Sequence, residues 1–146
     1  MIKLNDPFIN PIITKFGDKY YYSDGTYNFL NRSDGPAVEY ANGSELWYKD
    51  GFLHREDGPA ISSVDGSKEW FLNGRRHREG GPALIRNSYE EWYHNGKLHR
   101  LDGPATQWRD KSGTMRDNNL WYYNGKQIEC KTQQEFERLI KLIAFL

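Results

Sequence analysis

The chain has 146 residues, enough for one domain or one array, and carries 20 basic and 20 acidic residues for no net charge. Neutrality removes the electrostatic footprint of a nucleic-acid binder and argues equally against an acidic mimic of nucleic acid. No apolar run approaches the ~20 residues of a membrane span, the opening Met1-Ile2-Lys3-Leu4-Asn5 lacks a signal-peptide core, and the single cysteine, Cys130, forms no internal disulfide, so the expectation is a soluble cytoplasmic protein.

Residues 1–19 read as an N-terminal cap. Phe8 to Phe16 is apolar and β-branched but interrupted by Pro11, which suits an edge strand and not a central one. From Tyr20 to about residue 129 the chain repeats itself. Asp-Gly-Pro-Ala stands at Asp34–Ala37, Asp57–Ala60 and Asp102–Ala105, and Gly80–Ala83 is a copy that has lost its Asp. The prolines of these copies, Pro36, Pro59, Pro82 and Pro104, are 23, 23 and 22 residues apart. A fixed period in this range signals a repeat architecture.

Each repeat opens on an aromatic pair and a turn: Trp47-Tyr48-Lys49-Asp50-Gly51, Trp70-Phe71-Leu72-Asn73-Gly74 and Trp92-Tyr93-His94-Asn95-Gly96. Tyr21-Tyr22-Ser23-Asp24-Gly25 is a degenerate first copy and Trp121-Tyr122-Tyr123-Asn124-Gly125 a last half-copy. Asn-Gly and Asp-Gly between short runs are strong hairpin signals. A second set of turns, at Asn42-Gly43 and Asp65-Gly66, joins the repeats. Strands of five or six residues between these turns predict an elongated antiparallel β-meander of about ten strands.

Two-residue turns fix the register. Centred on Asn42-Gly43 and Asp65-Gly66, they place Val38 opposite Trp47 and Ile61 opposite Trp70. A three-residue loop at Asn87-Ser88-Tyr89 places Leu84 opposite Trp92. The other turns place His54, His77 and His99 opposite Trp47, Trp70 and Trp92. The face carrying Trp is the expected core, and Ala37, Ala60 and Ala83 on the second face leave the flanks of Tyr48, Phe71 and Tyr93 open. Beyond an enlarged polar loop at 109–119, Thr132-Gln133-Gln134-Glu135 reads as a capping box. Phe136, Leu139, Ile140 and Ile143 follow at helical spacing, which predicts a C-terminal helix over about 133–145 within the segment 130–146.

His-Arg-x-Asp invites a catalytic reading, since His beside a carboxylate is general-base chemistry. The repeats argue against it: the His position is Asn31 in the first copy and Ile128 in the last. A structural His is expected instead, stacked on Trp with its ring nitrogens bonded to the Asp or to the backbone at the tight turn, and with no catalytic residues. His54, His77 and His99 lie about two strands apart, roughly 9–10 Å, too far to share one zinc at ~2.0–2.1 Å bonds. No metal and no cofactor is expected. Arg32, Arg55, Arg78 and Arg100 form a ladder, read either as salt bridges to Glu45, Glu69 and Glu91 or as a contact surface.

The unit Trp-Tyr-x-Asn-Gly-x-x-His-Arg-x-Asp-Gly-Pro-Ala, over roughly 20–128, resembles the MORN-like repeat variants of bacterial, bacteriophage and giant-virus proteins. The resemblance implies a β-hairpin array used for binding or scaffolding and carries no catalytic residues. The leading expectation is a non-enzymatic protein-binding module, with Tyr48, Phe71, Tyr93, Tyr122, Arg55, Arg76, Arg78 and Arg100 as the partner-binding residues. With a phage source it would be an inhibitor of a host protein in the host cytoplasm. The alternative is a protein that sequesters a nucleotide or other small anionic aromatic ligand. A third reading places an enzyme site in the 109–119 loop. The helix leaves either a monomer or a homodimer paired through it.

Overall fold

The computed structural model describes residues 11–22 and 29–144. Phe8 to Asn10 of the expected edge strand, the Asp24-Gly25 turn, and Phe145 and Leu146 of the tail lie outside the described residues. The chain divides into two compact units, Met1–Arg75 and Arg76–Leu146.

Both units are built of antiparallel hairpins, in the open meander the repeats predict. In the first, Ile12–Ile13, Lys19–Tyr20, Val38–Glu39, Glu45–Leu46, Ile61–Ser62 and Lys68–Glu69 pair one after another as a ladder. In the second, Leu84–Arg86, Tyr89–Glu91 and Thr106–Trp108 do the same. The aromatic hairpins stand outside these ladders as separate arms, such as Tyr48–Lys49 with Phe52–Leu53, and Tyr93–His94 with Lys97–Leu98.

The expected strands of five or six residues are corrected to segments of two or three, and the strands carrying Trp47 and Trp92 break at the Trp. The Trp47 N–H donates to the Ala60 carbonyl in the ladder at 2.7 Å, while its own carbonyl accepts the His54 N–H in the arm at 3.0 Å. Trp92 does the same with Ala105 at 2.8 Å and His99 at 3.0 Å. One residue thus serves two different neighbours, and the strand leaves the ladder there.

The arms keep the expected register, with Tyr48 opposite Leu53 and Tyr93 opposite Leu98. Asp50 and Gly51 have φ of 51° and 79°, and Asn95 and Gly96 have 49° and 82°, the paired positive values of a type I′ turn. The inter-repeat turns do not keep theirs. Val38 faces Leu46 and not Trp47, Ile61 faces Glu69 and not Trp70, and Leu84 faces Glu91 and not Trp92. At Asn42-Gly43 and Asp65-Gly66 only the glycine is left-handed, with φ of 89° and 86°. The preceding Asn42 and Asp65 instead accept N–H bonds from Ser44 and Ser67 at 2.8 and 2.9 Å. The result is a three-residue turn ending in a glycine bulge, which adds one residue to the loop. At the third junction Tyr89 pairs with Arg86 and stacks on Trp108 at 6.3 Å, so the loop shrinks to Asn87-Ser88.

The slip changes the core. Trp47, Trp70 and Trp92 are only half-buried, whereas Ala37, Ala60, Ala83 and Ala105 are 0% exposed. The expectation of an open Ala flank is therefore overturned. The Ala60 and Ala105 carbonyls receive the Trp47 and Trp92 backbone N–H groups, which ties these buried alanines into the ladder.

The helix Gln133–Ala144 follows its expected span and closes the second unit. Thr132 Oγ1 caps the Glu135 N–H at 3.2 Å, and Glu135 reaches back to the Lys131 N–H at 3.1 Å. Phe136, fully buried, meets the Trp121 ring at 5.1 Å between centroids, and Leu139, Ile140 and Ile143 complete the cluster with Ile128. No helix among the described residues is long and apolar enough to cross a membrane.

Candidate functional site: a repeated aromatic groove

Every residue of Arg-x-Asp-Gly-Pro has a physical role in a small clip. The Arg55 guanidinium lies 3.8 Å from the Trp47 ring centroid, donates from Nε to Asp57 Oδ1 at 2.8 Å and from Nη1 to the Pro59 carbonyl at 3.4 Å. A Cβ on Gly58 would sit 2.9 Å from its Cζ, so the guanidinium is sandwiched between an indole and a bare Cα. Arg100 repeats this on Trp92 at 4.0 Å with Asp102 and Pro104. Arg32 repeats it on Tyr21 at 4.0 Å with Asp34 and Pro36, and adds Glu39 at 2.6 Å. Arg78 donates to the Pro82 carbonyl at 3.1 Å. Hydrogen bonds from these arginines hold Asp34, Asp57 and Asp102 below the usual carboxylate range. The expected bridges to Glu45, Glu69 and Glu91 are replaced, for Arg32, Arg55 and Arg100, by the Asp of the same motif.

The histidines bond to backbone at a tight turn, as expected, but the turn belongs to the following arm. His54, His77 and His99 each accept at Nδ1 the N–H of the left-handed turn residue Asn73, Asn95 and Asn124, at 3.1 Å in every case. At His77 and His99 Nδ1 is thereby the acceptor, and the neutral ring carries its proton on Nε2, whereas at His54 the Asn73 Oδ1 also stands 2.9 Å from Nδ1. Nε2 of His54 reaches Glu56 at 3.3 Å in the first unit, and Nε2 of His77 reaches Glu79 at 3.1 Å in the second. Burial, and then the neighbouring His94, push the His99 imidazole below its ordinary pKa.

Between successive clips the surface opens into a groove. In the first unit its volume is ≈ 460 Å³, with Trp47, Tyr48, Arg32 and Arg55 among its lining. In the second it is ≈ 490 Å³, with Trp92, Tyr93, Arg78 and Arg100 in the corresponding places. The first groove brings Arg32, Lys49 and Arg55 together with Asp50, Glu56 and Asp57, so its charges balance.

Of the residues expected at a contact surface, Tyr48 and Arg55 meet in the first groove, and Tyr93, Arg78 and Arg100 in the second. Arg76 lies 5.7 Å over the Tyr93 ring. Burial and Glu91, which accepts its hydroxyl at 3.0 Å, push Tyr93 up to about 12. Phe71 is only 9% exposed and presents little surface. Tyr122 bonds Gln127 at 3.3 Å on the last arm. The 109–119 loop forms another glycine-bulge turn: Asp110 Oδ1 accepts from Ser112 and Thr114, and Gly113 has a φ of 84°.

Sequence reasoning passed over His94 and Glu79. His94 stands where the other arms have Lys49, Leu72 and Tyr123, and that substitution was the available signal. Comparison with family models, with curated proteins and with solved structures finds no match. The functional reading therefore rests on the geometry.

Proposed function

We propose that the chain is a non-enzymatic protein-binding repeat module whose two aromatic grooves form the contact surface. The observation that carries this reading is the recurrence of one groove, with the same Trp-Tyr floor and the same Arg walls, at ≈ 460 and ≈ 490 Å³ in the two units. A balanced mixture of charges around half-buried aromatic rings suits an extended polypeptide of mixed composition. It suits a nucleotide less well. Arg32, Arg55 and Arg100 already spend Nε on Asp carboxylates, Nη1 on proline carbonyls and their faces on aromatic rings. His54, His77 and His99 support a non-enzymatic reading, since Nδ1 of each of these three rings is held by a backbone N–H. The repeat resemblance extends the proposal to a phage-encoded inhibitor of a host protein.

The test is affinity capture from a bacterial lysate with the wild-type chain and with Tyr48→Ala/Tyr93→Ala, each checked for unchanged melting. A partner captured by the first and lost by the second supports the grooves. Equal capture by both removes them from the interface, and tight binding of a nucleotide by calorimetry would favour the sequestering alternative.

A further inference from the structure

We propose that His77, Glu79 and His94 form a binding site for one divalent transition-metal ion. The three offer ligand atoms within 4.8 Å of one another. His77 Nε2 is 3.1 Å from Glu79 Oε1, and His94 Nδ1 is 3.5 Å from the same oxygen. Tetrahedral ligands at ~2.0–2.1 Å from zinc are separated by roughly 3.3 Å. Two edges of a coordination polyhedron are thus nearly in place. The third closes by rotation of His94, whose side chain is 46% exposed. Two imidazole nitrogens and a carboxylate favour zinc, cobalt, nickel or copper over magnesium or calcium, with water completing the shell.

Comparison among the repeats singles this junction out. A His-Arg-Glu run also occurs at His54-Arg55-Glu56, with His54 Nε2 3.3 Å from Glu56. There the following arm, whose turn residue Asn73 bonds His54, has Leu72 in the place of His94, and a leucine offers no ligand atom. At His99 the residue corresponding to Glu79 is Leu101. Among the described residues, only the junction from His77 to His94 gathers three donors. It is also where Gly80, with a φ of 71°, replaces the Asp of the other clips. Repeats that otherwise keep one plan break local rules where function is added.

Binding has an internal cost that makes it recognisable. The Asn95 N–H bond to His77 Nδ1 keeps the proton on Nε2. A metal on Nε2 requires the other tautomer: the Nε2 proton leaves and Nδ1 takes one up, with no net change in protons. The bond to Asn95 is then released, and the exposed turn N–H passes to water.

The experiment titrates the full chain with Zn²⁺ and with Co²⁺, and does not depend on any protein partner. One equivalent is expected to bind, with the visible bands of tetrahedral Co²⁺ and a shift of the His77 ring ¹⁵N signals from the Nε2–H to the Nδ1–H pattern. His94→Lys restores the residue used at position 49, so it should melt like the wild type yet lose at least about tenfold in affinity. Glu79→Gln should lose affinity likewise. Absence of stoichiometric binding, wild-type affinity in His94→Lys, or binding with the His77 tautomer unchanged would each overturn the site.

Discussion

The Arg55 guanidinium rests 3.8 Å from the Trp47 ring centroid, and on its other side a Cβ at Gly58 would come within 2.9 Å of it. The glycine of Asp-Gly-Pro-Ala is therefore a steric partner of the arginine three residues before it. Gly58→Ala should destabilise by about 1–3 kcal/mol, the range for forcing extra atoms into a packed site. In an Arg55→Ala background the same change should cost far less. Denaturant unfolding of the four proteins checks this, and equal costs in both backgrounds would refute the sandwich.

His54 ties one arm to the next turn through a single acceptor, so His54→Asn should lower stability by about 1 kcal/mol, the worth of one hydrogen bond. Amide exchange should quicken at Asn73, whose N–H loses its partner. An unchanged exchange rate there would contradict the bond.

Stability should fall with acid in two stages. His99 is harder to protonate in the fold, because of burial first and His94 second, so the unfolded chain binds more protons below its ordinary pKa of about 6.5. Its contribution is complete above that value and is lost as pH drops through the lowered folded value. Asp34, Asp57 and Asp102 are also lowered, chiefly by hydrogen bonds from arginine. Their contribution is present above the ordinary carboxylate pKa of about 3.9 and disappears as pH falls through the folded values. Melting curves from pH 8 to 3 measure both stages, and His99→Asn should flatten the first.

Phe136 is the fully buried anchor of the helix against Trp121. Phe136→Ala should cost about 3–5 kcal/mol, as for other buried Phe truncations. Trp121→Phe should cost much less. Unfolding followed by circular dichroism distinguishes the two, and a near-neutral Phe136→Ala would mean that the helix is dispensable.

The period, the hairpins, the arm register and the helix were legible because each depends on neighbours in sequence. Asp50-Gly51 and Asn95-Gly96 take the type I′ turn that such dipeptides favour. The ladder register was not legible, because Asn42-Gly43 and Asp65-Gly66 look the same in sequence. There the side chains of Asn42 and Asp65 bond forward to serine and leave only the glycine left-handed. Dipeptide identity alone does not choose between these outcomes. The clip was hidden for a different reason. Arg55, Asp57, Gly58 and Pro59 are consecutive enough to suggest a turn, and only the position of the Trp47 ring reveals that the arginine organises it. His94 stands outside the His-Arg pairs, and only the folded arm brings it to Glu79.

The bonds from His54, His77 and His99 to the next turn span 19, 18 and 25 residues, while the arginine clips close within four. Closures that reach no further than the next repeat favour fast folding, since little chain must be searched before each contact forms. A growing chain can therefore complete each hairpin soon after its residues leave the ribosome, adding one to the last without waiting for the C terminus. Rearranging the order of repeats should slow this process less than it would in a β-sandwich of equal length.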